Sequence, residues 1–147
     1  MASLYAESSA VLAWLLDEDA GPFVRQALSQ TPVVIASVLT LIECDRVLHR
    51  AAALGELTEA EAADRRAHLS TAAAHWHVLR IGQDVVDCAR QPFPGDPIPT
   101  LDAIHLASAL VARSAVAGLA LLSLDERIRS VARKLGFTLL PADIPAP

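Results

Sequence analysis

Cysteine is scarce in this chain: Cys44 and Cys88 are the only two in 147 residues, and they belong to no CxxC or Cys/His spacing. A disulfide framework or a cysteine-built zinc site is therefore not expected. Glycine is equally sparse, six residues with no GxGxxG and no GxxxxGK[ST], which counts against a phosphate-cradling nucleotide loop. Lysine occurs once, at Lys134, and the 12 Lys and Arg are outnumbered by 17 Asp and Glu, for a formal net charge of −5. That balance excludes a protein whose whole surface attracts nucleic acid, and leaves room only for a local charged cleft. Charges and prolines break every apolar stretch well short of a bilayer span, so no membrane segment is expected. The opening MASLYAESS lacks the basic end and long apolar run of a secretory signal, which makes the reducing cytoplasm the expected compartment.

What the chain does have is apolar mass, 53% of its residues, enough for one core and too little length for two ordinary ones. A single domain over 1–147 is expected. Short apolar runs alternate with helical patterns along it. Leu4 to Ala6 reads as a buried strand, followed by a helix over Ala10 to Leu16 that Ser8 or Ser9 can cap and that Asp17 to Gly21 closes. The β-branched run Pro32 to Ala36 ends at Ser37, a second cap candidate, before a helix over Val38 to Leu54 stopped by Gly55. Thr58 with Glu61 forms a capping box for a helix reaching Ala74, and Val78 to Ile81 supplies a middle strand. Four prolines and Gly95 make Gln91 to Pro99 a loop leading into the helix TLDAIHLASALVAR from Thr100. Leu119 to Leu122 and Phe137 to Leu140 are the last strands, around a helix over Asp125 to Leu135. Five strands interleaved with helices predict an α/β fold, a mostly parallel five-stranded sheet with helices on both faces in a three-layer α/β/α arrangement.

Four acids stand where strands hand over to helices or in the first turns of those helices: Glu7, Glu43, Asp102 and Asp125. The strand ends of an open α/β sheet share one crevice, so these residues can converge despite their separation. Gathered acids repel one another unless a cation sits among them, and a divalent metal is the simplest one. Each acid also has an ordinary explanation. Asp102 lies off the apolar stripe Ala103, Leu106, Ala107, Leu110 and would complement its helix dipole. Asp125 would cap its helix, Glu43 would pair with Arg46, and Glu7, at the end of the first strand, is the costliest to explain unless a cleft opens there.

Other candidates are weaker. His75 and His77 have no partners at zinc-like spacing and read as packing or surface histidines, and Asp45 points to another side of its helix than Glu43. His105, one turn after Asp102, reads as packing against or supporting the acids rather than touching substrate. Arg127, Arg129, Arg133 and Lys134 read first as a solvated helix face, and second as a surface that steers a nucleic-acid backbone.

The pieces YAESSAV (5–11), LTLIE (39–43), TLDAIHLASAL (100–110) and LLSLDERI (121–128) together resemble the PIN domain family, particularly its small VapC-type toxins, over Leu4 to Pro141. The resemblance implies an endoribonuclease acting on single-stranded RNA, the toxin of a type II toxin–antitoxin pair, with Glu7, Glu43, Asp102 and Asp125 at the catalytic centre. It implies Mg²⁺ or Mn²⁺ as cofactor, with Glu7, Asp102 and Asp125 as metal ligands and Glu43 orienting water. A cognate antitoxin and a homodimer are the implied protein partners. This chain departs from the family in having Glu7 where aspartate is usual, one methylene longer, and Mg²⁺ tolerates distorted octahedra badly. That departure supports an alternative, a catalytically weak PIN-like binding or assembly module. A phosphoacceptor receiver domain is a third reading, disfavoured because the strand VLRI ends in no acid and Lys134 is the sole lysine.

Overall fold

The structure is a computed structural model and describes residues 2–143; the outermost residues of the 1–147 span expected to form one domain lie outside the described residues. Five strands, β1 (Ser3–Ala6), β2 (Val33–Ser37), β3 (His77–Leu79), β4 (Ala120–Leu122) and β5 (Thr138–Leu140), form one sheet in the order β3-β2-β1-β4-β5. Every neighbouring pair is parallel, with Tyr5 opposite both Ile35 and Leu121. Because the chain leaves β1 to one side for β2 and later returns to its other side as β4, the topology switches direction at β1, and a crevice opens beyond its C-terminal end.

Seven helices cover the sheet among the described residues: α1 (Ser8–Leu15), α2 (Gly21–Gln30), α3 (Val38–Ala53), α4 (Glu59–Ala73), α5 (Gln83–Ala89), α6 (Thr100–Ala115) and α7 (Glu126–Lys134). Alternation along the strands sorts them. Leu4, Ala6, Val34, Ala36, Ala120 and Leu122 pack with α1 to α4 on one face. Tyr5, Ile35 and Leu121 point to the other face and pack with α5 to α7. The result is the expected three-layer fold, with a wholly parallel sheet. Leu48 and Leu106 are fully buried in the two cores, and truncating either to alanine would cost about 2–5 kcal/mol.

Ser37 caps α3 through Leu39 N–H, and Thr58 and Glu61 form the expected capping box on α4. Three expectations need correction. The N-cap of α1 is Glu7 rather than Ser8 or Ser9: its longer side chain folds back to accept from Ser9 N–H. The strand at Val78 is β3, at the edge of the sheet, so its lack of a terminal acid says nothing about the centre; the central strand is β1, and an acid does follow it. Two helices, α2 and α5, stand where none was read. In α2 only Gly21 and Val24 are buried, and Gly21 is required there because a Cβ would lie 2.7 Å from Ala13 O of α1. In α5 only Val85 is buried.

Candidate acid centre

The four acids lie around the crevice beyond β1 in two sets of contacts, Glu7, Asp125 and Asp102 joined through Ser9 and Arg127, and Glu43 held with Ser8 and His105. Glu7 is 3% exposed and immediately follows the central strand. Its Oε2 accepts from Ser9 N–H (2.7 Å), Ser9 Oγ–H (2.5 Å) and Ser123 Oγ–H (3.3 Å). Ser9 Oγ in turn accepts from the backbone N–H groups of Leu124 and Asp125, at 2.9 and 3.1 Å. One serine thus joins the start of α1 to the turn between β4 and α7. Burial pushes the Glu7 carboxyl above the ordinary range and the nearby Asp125 charge adds to this, against the bonds from Ser9.

Asp125 is the N-cap of α7, accepting from Arg127 N–H at 2.9 Å, as its alternative reading has it. The same residue faces Asp102. Arg127 Nε stands 3.8 Å from Asp125 Oδ1 and 3.7 Å from Asp102 Oδ2. Asp102 lies off the stripe Ala103, Leu106, Ala107, Leu110 and is buried all the same. Helix α6 packs against α5 and α7 as well as the sheet, so more than one stripe of it is covered. Asp102 Oδ2 is the one fully buried carboxylate oxygen among the described residues that accepts no hydrogen bond. Burial and the Asp125 charge push its carboxyl up, opposed by Arg127.

Glu43 enters from α3 and makes no ion pair with Arg46 among the described residues. Its Oε1 accepts instead from Ser8 Oγ–H at 2.8 Å and meets His105 Nε2 in a short contact. Partial burial pushes its carboxyl up, but the bonds from His105 and Ser8 outweigh that and hold it below the ordinary range. His105 is 2% exposed, and its other nitrogen, Nδ1, meets the fully buried Tyr5 hydroxyl at 3.1 Å. It supports the acids from beneath.

The donor set suits a hard divalent cation in kind: all four acids offer oxygen, and Asp102 Oδ2 accepts no hydrogen bond. The spacing is looser. Among the described residues no three His, Cys, Asp or Glu side chains stand grouped as a ready metal cage.

Residues 4–134 match the family described as PIN domain. The chain belongs to the PIN domain family. This PIN domain is similar to Ribonuclease VapC46 of Mycobacterium tuberculosis, 33% identical over 140 residues that cover 95% of this chain and 98% of that one. Its fold is similar to that of a toxin–antitoxin complex from Klebsiella pneumoniae (TM-score 0.60, 18% identity, 97% of each chain). A protein of Pyrobaculum aerophilum is similar as well (TM-score 0.62, 20% identity, 95% of this chain and 85% of that one).

Within this PIN domain the arginine cluster divides. Arg129 is 1% exposed and donates to the carbonyls of Ser123 (3.0 Å) and Pro141 (2.8 Å), tying the ends of β4 and β5, so it is not part of a solvated face. Burial pushes its guanidinium down from its usual range. Arg127 is the member at the acids. Lys134, in the last turn of α7, lies beside Gly95, at the other end of the helix from Asp125, which leaves the receiver reading without its lysine. His75 and His77 are exposed, and no helix among the described residues is long and apolar enough to cross a membrane. Ser8 was read only as a cap candidate, and Ser123 and Tyr5 were not singled out in the sequence. Their signal was there: each is a polar group in an apolar run within two residues of an acid.

Proposed function

We propose that this chain is a metal-dependent endoribonuclease that hydrolyses phosphodiester bonds in single-stranded RNA, acting as the toxin of a type II toxin–antitoxin pair. The observation that carries this reading is the gathering of Glu7, Glu43, Asp102 and Asp125 beyond the central strand, with Asp102 Oδ2 buried and without a hydrogen bond. The ribonuclease relative, similar over nearly its whole length, supports the reaction, and the toxin–antitoxin neighbour supports the biological setting.

Glu7, Asp102 and Asp125 would hold Mg²⁺ or Mn²⁺. When bound, the ion supplies charge to neutralise the phosphate and acidity to activate water. Glu7 has Oε1 left for this, because Oε2 is committed to Ser9 and Ser123. Asp102 offers the oxygen that accepts no hydrogen bond. Glu43, pinned by one oxygen, would orient water with the other, and the exposed Arg127 would meet the RNA backbone once a stronger cation takes its place between the two aspartates. No side-chain nucleophile is needed. An inhibiting antitoxin would place a cationic or polar group over the acids from a segment lying along α1 and α3. A second copy would cover the exposed apolar side chains Ile81, Val86 and Leu101 around α5 and the start of α6, and the cytoplasm is the setting such a pair requires.

A second reading, a catalytically weak PIN-like binding or assembly module, draws support from the commitment of Glu7 Oε2 and from the looseness of the acid cluster. One assay separates them. Purified protein is incubated with single-stranded RNA and Mn²⁺, with and without EDTA, beside Asp102→Ala and Asp125→Ala. EDTA-sensitive cleavage lost in both variants is the expected result; no cleavage by the folded wild type favours the module.

A further inference from the structure

His105 is buried at 2%, so it cannot touch RNA, yet it sits within hydrogen-bond reach of Tyr5, Ser8 and Glu43 at once. Counting protons orders these contacts. Ser8 Oγ–H is spent on Glu43 Oε1, and the carboxylate brings none, so the short contact between Nε2 and Oε1 is a bond only if Nε2 carries the proton. Neutral imidazole then has a bare Nδ1, and the one group at 3.1 Å able to donate to it is the Tyr5 hydroxyl. Tyr5 is fully buried, and a phenol keeps its proton at neutral pH.

We infer that His105 is a positioning residue for the proposed nuclease: locked by Tyr5 as the Nε2–H tautomer, it clamps Glu43 Oε1 together with Ser8 and leaves Oε2 as the only Glu43 oxygen facing the cleft. The inference rests on the ribonuclease reading only for its catalytic consequence. Three elements meet in the clamp, Tyr5 from β1, His105 from α6 and Glu43 from α3, so the two helices that bring Asp102 and Glu43 are registered to the central strand at this point. Glu43 is still 27% exposed at its side chain, and without the clamp it would be free to swing into the crevice. A carboxylate that is to aim one water cannot afford that freedom.

The test begins without metal or RNA. In ¹⁵N-labelled protein, long-range ¹H–¹⁵N correlation should show His105 with a protonated Nε2 and a bare Nδ1. Tyr5→Phe, which removes only the hydroxyl, should release that lock and give tautomer averaging. In the RNA assay with Mn²⁺, His105→Leu should lower kcat by about 10–100-fold with KM little changed, the range expected for residues that orient catalytic groups. His105→Gln, which keeps an N–H donor, should restore most of the loss. A bare Nε2 in the wild type, a Tyr5→Phe spectrum identical to it, or equal rates in His105→Leu and His105→Gln would each overturn the inference. If the wild type cleaves no RNA, the nuclease reading fails while the tautomer measurement still decides the clamp.

Discussion

Asp102 and Asp125 share a single guanidinium: Arg127 Nε lies 3.7 Å from Oδ2 of the first and 3.8 Å from Oδ1 of the second. Arg127 is 69% exposed, so the pairing is screened and contributes at most about 1 kcal/mol. It occupies the position that a divalent cation would compete for. Arg127→Ala should therefore lower the melting temperature of metal-free protein slightly and bind Mn²⁺ more tightly, as read by calorimetric titration. Weaker Mn²⁺ binding in the variant would mean that Arg127 assists the ion instead of opposing it.

The buried acids set a pH dependence whose sign is calculable. Asp102 has its proton affinity raised in the fold by burial and by Asp125, so the folded state keeps its proton to higher pH than the unfolded chain, which releases it near about 3.9. Stability from this residue therefore falls as pH rises through the window above that value. Glu7 acts in the same direction, whereas the stabilisation from Glu43, held below the ordinary range, is present at neutral pH and is lost on acidification. Asp102→Asn should raise the metal-free melting temperature at neutral pH, by about 1 kcal/mol or roughly 4 °C. The gain should shrink towards pH about 4. A gain independent of pH would show that charge is not its origin.

Adding Mn²⁺ should reverse the order of the two proteins. Ligand linkage stabilises the wild type, by about 2.7 kcal/mol at a hundredfold excess over Kd, and Asp102→Asn should lose most of that rise. Thermal denaturation across a metal titration reads it directly.

Glu7 is one methylene longer than the aspartate that the resemblance in sequence leads one to expect there. Aspartate is a better helix cap than glutamate, so Glu7→Asp should fold at least as well, and freed from its bond to Ser9 Oγ it should keep or raise the RNA cleavage rate. Complete loss of cleavage in a folded Glu7→Asp would show a centre built around the longer side chain.

Much of this was legible beforehand. The strands β1, β2, β4 and β5, the caps Ser37 and Thr58 and the strand-end placement of the acids follow from apolar runs and cap chemistry, which are local. What was illegible depends on tertiary contact. Helices α2 and α5 bury so few side chains that no stripe marks them. The burial of Asp102 could not be read from its stripe, because a stripe describes one covered face and α6 has more than one. Arg129 reads as surface in any charge pattern until the carbonyls of Ser123 and Pro141 are seen around it. The clamp on Glu43 joins residues as far apart as Tyr5 and His105, a pairing that only the fold creates.

The central claim is that these acids hold a catalytic divalent cation, and anomalous diffraction from crystals soaked in Mn²⁺ tests it most directly. The account predicts a peak in the crevice beyond β1, contacted by Asp102 Oδ2 and by carboxylate oxygens of Glu7 and Asp125, and absent from Asp102→Asn crystals treated alike. No peak there at saturating Mn²⁺, or one that persists in Asp102→Asn, would contradict it.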